Sequence, residues 1–384
     1  MESLGGHFSK SIGRPADPSG ARLHFAAHSH HPWPDVTEAA QARCWDDAAR
    51  LLDAKWGHIF SNVLPAAQAH VAKRLNLADP ASVVFAPNTH ELVRRLLSAT
   101  DPHRPVRILT TDSEFHSFAR QIARLEEDAL VEVTRVPAEP FDSFANRFIA
   151  ELHEDHFDLV FLSQVFFNSG WRVAEIADIV AAVRHDDTLV AVDGYHSFMA
   201  VPVDWSALQA RAFFIAGGYK YAMAGEGCCF MHCPPGYGPR PRDTGWYAEF
   251  GALAAARPGE TAYGADASRF AGSTFDPSGL YRFNAAQDWF DATGGDIAAH
   301  HAYAQALQSR FLAKLPAVLT GTLMIEDAAR RGRFLTFRTK DAEAIETHLT
   351  SRGITLDRRG DRLRLGFGVY QSDEGVDRLI DAFN

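Results

Sequence analysis

Six short apolar runs, SVVFAP, VRILTT, DLVFLSQ, TLVAVD, RAFFIAGG and GCCFMHC, recur between residues 82 and 233, and helical patterns lie between most of them. HELVRRLLSA, SFARQIARLEED and RVAEIADIVAAVR carry apolar residues at helical spacing. Runs that are apolar throughout read as strands buried on both faces. Separated by helices of this length, they build a mostly parallel sheet between helical layers. The alternation predicts a large α/β domain over residues 50–260.

The flanks read differently. The first twenty residues are rich in Gly, Ser and Pro and predict an irregular arm. Behind Pro-Trp-Pro, VTEAAQARCWDDAARLLDAKW predicts one helix. Residues 1–49 are expected to contribute to the small domain and to the rim of the active site. A loop-rich region follows the last apolar run. Residues 261–384 then predict an inter-subunit segment, a long helix over 297–315 with Asp296 as its N-cap, and a small α+β domain. Its pieces are the strand RFLTFRT, the helix AEAIETHLTSRG, the strand RLRLGF and the closing helix DEGVDRLIDAF.

Charge and cysteine usage exclude several functions. Ten more acidic than basic residues argue against binding a phosphate backbone or an anionic lipid surface. The arginine-bearing stretches RRGRFLTFRTK and LDRRGDRLR are short and read as solvated strand edges. No run is long and apolar enough for a membrane span, and the N-terminus lacks the apolar centre of a secretory signal, so a cytoplasmic protein is expected. Three of the four cysteines crowd into GCCFMHC without the paired spacing of a zinc knuckle, and read as buried structural thiols rather than metal ligands. The compact glycine fingerprint of a nicotinamide-binding βα unit is absent.

In open parallel sheets, ligands bind beyond the carboxyl ends of the strands. TLVAV is followed by DGYHS, which places Asp193 and His196 there. RAFFIAGG is followed by Tyr219 and Lys220, SVVFA by PNTHE, and VRILTT by DSEFHSF. An acid, an amine, an imidazole, a hydroxyl-bearing turn entering a helix, and aromatic residues thus share one rim. That set suits a phosphorylated heteroaromatic aldehyde, pyridoxal phosphate. A lysine forms a Schiff base with it, an aspartate keeps its ring nitrogen protonated, and helix N-terminal amides receive its phosphate.

The segment VDGYHSFMAVPVDWSALQARAFFIAGGYKYAMAGEG resembles the cofactor-lysine region of the class V, fold-type I pyridoxal-phosphate enzymes, and most resembles kynureninase and its relatives. The resemblance implies a large domain around a mostly parallel seven-stranded sheet, plus a small C-terminal α+β domain. It implies that Lys220 carries the cofactor and moves the proton at the substrate's α-carbon, that Asp193 partners the pyridine nitrogen, and that His196 lies near the phenolate oxygen. Tyr219, Thr89 and the amide of His90 would hold the phosphate, and Phe115 would stack on the ring. FAGSTFDP resembles the segment that reaches the phosphate of a neighbouring subunit, through Ser273 and Thr274, which implies a homodimer with shared sites. In DRLRLGFGVYQSDEG, Arg364 fits the arginine that binds the substrate carboxylate, with Arg362 on the same strand face as its rival.

Two departures bear on the substrate. Kynureninases carry an aspartate three residues after the stacking phenylalanine, where this chain has Phe118. Their N-terminal turn is replaced by LHFAAHSHHPWP, whose His28, His30 and His31 either shape a different substrate pocket or occupy a polar loop. A kynureninase-like lyase or hydrolase is expected first and a class V aminotransferase second, with a non-catalytic binding or regulatory protein on the same fold as a further alternative. A desulfurase with a late nucleophilic cysteine is disfavoured, because no cysteine follows Cys233.

Overall fold

The computed structural model describes residues 1–12, 23–249, 259 and 261–383. Part of the expected irregular arm, part of the loop-rich region and the last residue lie outside these. Twelve strands are described: β1 Leu23–His24, β2 Val83–Ala86, β3 Val106–Thr111, β4 Val131–Val136, β5 Leu159–Ser163, β6 Leu189–Asp193, β7 Phe213–Gly217, β8 Cys229–His232, β9 Phe334–Arg338, β10 Ile354–Thr355, β11 Asp357–Arg359 and β12 Arg362–Gly366. A seven-stranded sheet runs in the order β2-β8-β7-β6-β5-β3-β4. Only β8 is antiparallel to its neighbours, β2 and β7. The parallel strands β5 and β7 are buried along their whole length, as continuous apolar runs require.

The strand β4 is absent from the six apolar runs. It sits at the sheet edge, and its sequence VEVTRV alternates, with Glu132 and Arg135 exposed. An edge strand needs only partial burial, so its apolar signal is weak.

The helices show where local sequence rules hold and where packing overrides them. Asp296 caps the helix Ile297–Ala313, its carboxylate accepting from the amide of Ala298 at 2.8 Å, which contributes about 1 kcal/mol. The single helix expected after Pro-Trp-Pro is instead broken. Its regular part spans Val36–Leu51 and ends at Leu52, whose φ of 50° no α-helix tolerates. The stretch expected as an inter-subunit segment contains the helix Ser278–Ala292, buried on nearly every side between neighbouring helices. A helix enclosed all round has no polar face, so helical periodicity does not reveal it.

The C-terminal sheet runs β11-β12-β9, antiparallel throughout, while β1 pairs in parallel with β10. The basic stretches here are not solvated edges. Arg331, Arg333 and Arg364 are all buried, Arg333 donating from Nε to the carbonyl of Ala200. Buried guanidinium groups need such acceptors, and local sequence does not show where acceptors come from.

Candidate active site

Lys220 follows β7 and is buried, with its Nζ donating to the main-chain carbonyl of His28 at 3.0 Å. Desolvation, reinforced by the nearby Arg364 guanidinium, lowers its pKa to about 7, against the pull of Asp193 and Asp357. Three rings surround the amine, with centroids 5.1 Å away for Tyr219, 5.5 Å for Tyr195 and 5.8 Å for Phe115. A good part of this amine is therefore neutral near pH 7, which is the form that attacks a carbonyl.

Asp193 ends β6 beside β7, paired with Ile215. Its Oδ1 accepts from the amide of Tyr195 at 2.8 Å. Burial pushes its pKa up to about 6, and the Tyr195 amide and the Lys220 charge oppose that rise. Three residues on, His196 is buried near the ring of Phe334, and its Nδ1 has no hydrogen-bond partner. Burial holds this imidazole well below its usual pKa, so it is neutral.

Behind Asp193 lies a second acid. Glu114 accepts from Thr111 Oγ1 and Ser163 Oγ, each at 2.6 Å, and from the Ser163 amide at 3.1 Å. Ser163 is the β5 residue opposite Asp193. Burial raises the Glu114 carboxyl to about 7, its hydroxyl partners oppose the rise, and the charge of Asp193 adds to it. Sequence reasoning passed over Glu114. The signal was an acid directly before the aromatic residue of a strand-end turn.

Phe115 is half-buried at the start of the helix His116–Glu127, in edge contact with Phe167 at 5.4 Å. Phe118 belongs to the core, stacked on Phe161 at 3.8 Å. Thr89 opens the helix Thr89–Leu97, capped by Asn88, whose side chain accepts from Glu91 N at 3.0 Å. The Thr89 amide lies against the Cys229 sulfur, and burial pushes that thiol up to about 12 against the pull of this amide. Cys228, Cys229 and Cys233 are all buried free thiols.

The N-terminal turn divides its histidines. His28 is fully enclosed, stacked on Phe334 at 4.6 Å, with Nε2 3.6 Å from Asp357 Oδ2. Burial, with the adjacent Arg364 charge, lowers its pKa to about 3. His31 is likewise buried and neutral, whereas His30 is exposed and stacks on Tyr219 at 5.2 Å.

Arg364 is buried beside this group and donates to the carboxylate of Asp357, its register partner on β11, and to the carbonyl of Phe167. Its Nε is buried without a partner. The rival Arg362 instead donates to Asn168 O at 3.3 Å and lies 3.5 Å from Glu139, away from this group of partners. Asp357 was missed because LDRRGDRLR reads as a charged hairpin edge. Only the β11–β12 register reveals that its acid faces Arg364.

Ser273 and Thr274 are not brought to this cluster. Both are exposed, and Thr274 Oγ1 accepts from Trp246 Nε1 at 3.3 Å.

These donors fit a phosphorylated pyridine aldehyde. A buried amine that titrates near neutrality, a carboxylate with one free oxygen, an unpartnered imidazole nitrogen and a helix N-terminus converge at one rim. Together with the sheet order they define the class, a fold-type I enzyme that uses pyridoxal phosphate. Residues 53–379 match the family described as aminotransferase class-V, and the chain belongs to that family.

No curated protein sequence matches the chain. Among solved structures it is similar to a mutant of C-DES with glycine covalently linked to the PLP cofactor, at a TM-score of 0.79 and 18% identity over 98% of each chain. It is also similar to the complex between the cystine C–S lyase C-DES and its reaction product cysteine persulfide, with a TM-score of 0.78 and 18% identity over 94% of this chain and 97% of that one. The apo cysteine desulfurase from Thermococcus onnurineus NA1 gives a TM-score of 0.80 and 14% identity, covering 99% of this chain and 97% of that one. At such identities the likeness is one of fold. None of these structures singles out the kynureninase that the sequence most resembles. Among the described residues no helix is long and apolar enough to cross a membrane.

Proposed function

We propose that this enzyme is a lyase or hydrolase that cleaves the side chain of an amino acid after removing its α-proton. The observation that carries the reading is the Lys220 amine, buried, lowered to a pKa of about 7 and set close to Asp193 and Arg364. Pyridoxal phosphate, when bound, supplies an electron sink for the pair left at the α-carbon. Every other contribution comes from the chain.

Lys220 makes the covalent attachment and then holds the α-proton, which its near-neutral pKa lets it accept and return. Asp193 keeps a proton on the ring nitrogen. His196, neutral and with a free Nδ1, would serve as the hydrogen-bond partner of the phenolate oxygen. Phe115 would cover the ring, while Thr89, the His90 amide and the Tyr219 hydroxyl would hold the phosphate. Arg364 grips the substrate carboxylate through its free Nε, with Asp357 fixing the guanidinium plane. His30, exposed and stacked on Tyr219, lines the approach from the N-terminal turn, and the enclosed His28 backs the pocket wall from behind. The exposed Ser273 and Thr274 belong to the site of a second copy, so the working unit is a homodimer.

Within this class the kynureninase-like reaction comes first, as cleavage between the β and γ carbons with water added. No cysteine follows Cys233 in this sequence, which disfavours a desulfurase with a late nucleophilic thiol. An aminotransferase is the second reading, favoured by the description of the matched family. Incubating the cofactor-loaded protein with kynurenine, cystine and common amino acids separates the two. Release of a side-chain fragment without any keto-acid acceptor supports the lyase or hydrolase. Turnover only when a keto acid is supplied supports the transferase.

A further inference from the structure

A cluster of side chains of the types that ligate metals lies at the other end of the sheet. His156 precedes β5, while His185 and Asp187 precede β6, and these neighbouring parallel strands pair Leu159 with Leu189. That register sets the two entry loops side by side. They are also fastened to each other. Thr188 Oγ1 donates to the carbonyl of Phe157 at 2.6 Å, and Arg211 donates to the carbonyls of Thr188 and His185 at 2.9 and 3.1 Å. The cluster therefore rests on fixed backbone rather than on two independent loops.

On that frame the imidazoles of His156 and His185 have centroids 4.3 Å apart. His156 Nε2 is 3.2 Å from Asp187 Oδ1, and one ligand atom from each of the three residues lies within 4.8 Å of the others. Two metal–ligand bonds of about 2.0–2.1 Å at a tetrahedral angle span an edge of about 3.3 Å. The His156–Asp187 edge already matches that length, and a side-chain rotation of His185 closes the rest. An ion pair alone would account for His156 and Asp187 but not for the second imidazole beside them.

Two imidazole nitrogens and one carboxylate oxygen suit a borderline first-row cation, whereas calcium and magnesium favour oxygen ligands throughout. His185 and Asp187 are exposed and His156 is half-buried, so an ion reaches the site directly. We propose that His156, His185 and Asp187 bind one divalent transition-metal ion of the zinc type, with water completing its shell. The length of β6, roughly 13 Å from Leu189 to Asp193 at the usual rise per residue, separates this cluster from Asp193, so the ion clamps the β5 and β6 entry loops and takes no part in the chemistry of Lys220.

The test uses the full-length protein loaded with pyridoxal phosphate, freed of excess cofactor and stripped of metal with a chelator. Zn2+ is titrated calorimetrically, and Co2+ serves as a spectroscopic probe. The expected result is one ion per chain, visible Co2+ ligand-field bands and a higher unfolding temperature with Zn2+. Affinity should fall at least tenfold in the His156→Ala/His185→Ala variant, with turnover of the metal-free protein unchanged. Asp187→Asn, a milder change, should weaken binding in the same direction and serves if the double variant fails to fold. Absence of binding to the parent protein overturns the proposal. So does binding that persists unchanged in either variant, which would assign the ion to other histidines such as His30.

Discussion

The amine of Lys220 donates to the main-chain carbonyl of His28 at 3.0 Å, joining the turn after β7 to a turn 192 residues earlier in the chain. The anchor of the site therefore depends on the N-terminal turn being held in place. Gly366 on β12 holds it. A Cβ there would lie 2.2 Å from His28 Nδ1 and 2.9 Å from the amides of Ala27 and His28.

Gly366→Ala should therefore displace the His28 turn. The expected cost is about 1–3 kcal/mol of stability, as for other overpacked sites, with weaker retention of pyridoxal phosphate. Urea unfolding and a cofactor-binding titration measure the two effects. A variant with parent stability and affinity would show that the turn is not held by this contact.

Capture of cofactor by the apo protein should depend on pH with a defined sign. Lys220 attacks only when neutral, and its pKa is lowered to about 7, while Asp193, raised to about 6, must be ionised to hold the ring nitrogen. Both requirements favour higher pH. The capture rate should rise about tenfold per pH unit between about pH 6 and 7, more steeply below pH 6 where both groups must lose a proton, and level off above neutrality. Stopped-flow absorption reads this directly, and a rise that continues toward the ordinary lysine value of 10.5 would contradict the lowered amine.

The Arg364–Asp357 pair allows a double-mutant test. Arg364→Gln leaves Asp357 with Arg359 alone, which donates to its Oδ1 at 2.8 Å, so the cost should stay below the about 3–5 kcal/mol of a fully broken buried pair. Adding Asp357→Asn should restore most of that loss while leaving the KM for a carboxylate substrate raised. If the double variant is no more stable than Arg364→Gln alone, Asp357 is not the partner that matters.

The large domain was legible because its central strands are apolar runs and its helices are amphipathic. The strand ends Asp193 and Lys220 could be located from that pattern alone. What escaped was whatever depends on pairing across the fold. β4 alternates because it is an edge strand, and the helix Ser278–Ala292 shows no polar face because it is enclosed. Asp357 reads as one charge in a basic hairpin until β11 pairs it with Arg364. Glu114 stood beside Phe115 in a stretch already singled out, yet its importance comes from Ser163, 49 residues away.

Glu114 supplies a stability prediction. Its folded pKa of about 7 exceeds the ordinary value of 4.5, so between those values the folded chain holds a proton that the unfolded chain has released. Stability must then fall as pH rises through that window, by on the order of 3 kcal/mol from this group. Glu114→Gln should flatten the pH dependence of urea unfolding between about pH 4.5 and 7. An identical profile in the variant would mean that the carboxyl is not held protonated.

The most direct test of the account is borohydride reduction of the cofactor-loaded protein, followed by peptide mass mapping. The account predicts a visible absorption band that reduction bleaches, with the mass of reduced pyridoxal phosphate on the peptide containing Lys220 and none in a Lys220→Ala variant. A cofactor adduct on another lysine, or a band and turnover that survive Lys220→Ala, would contradict it.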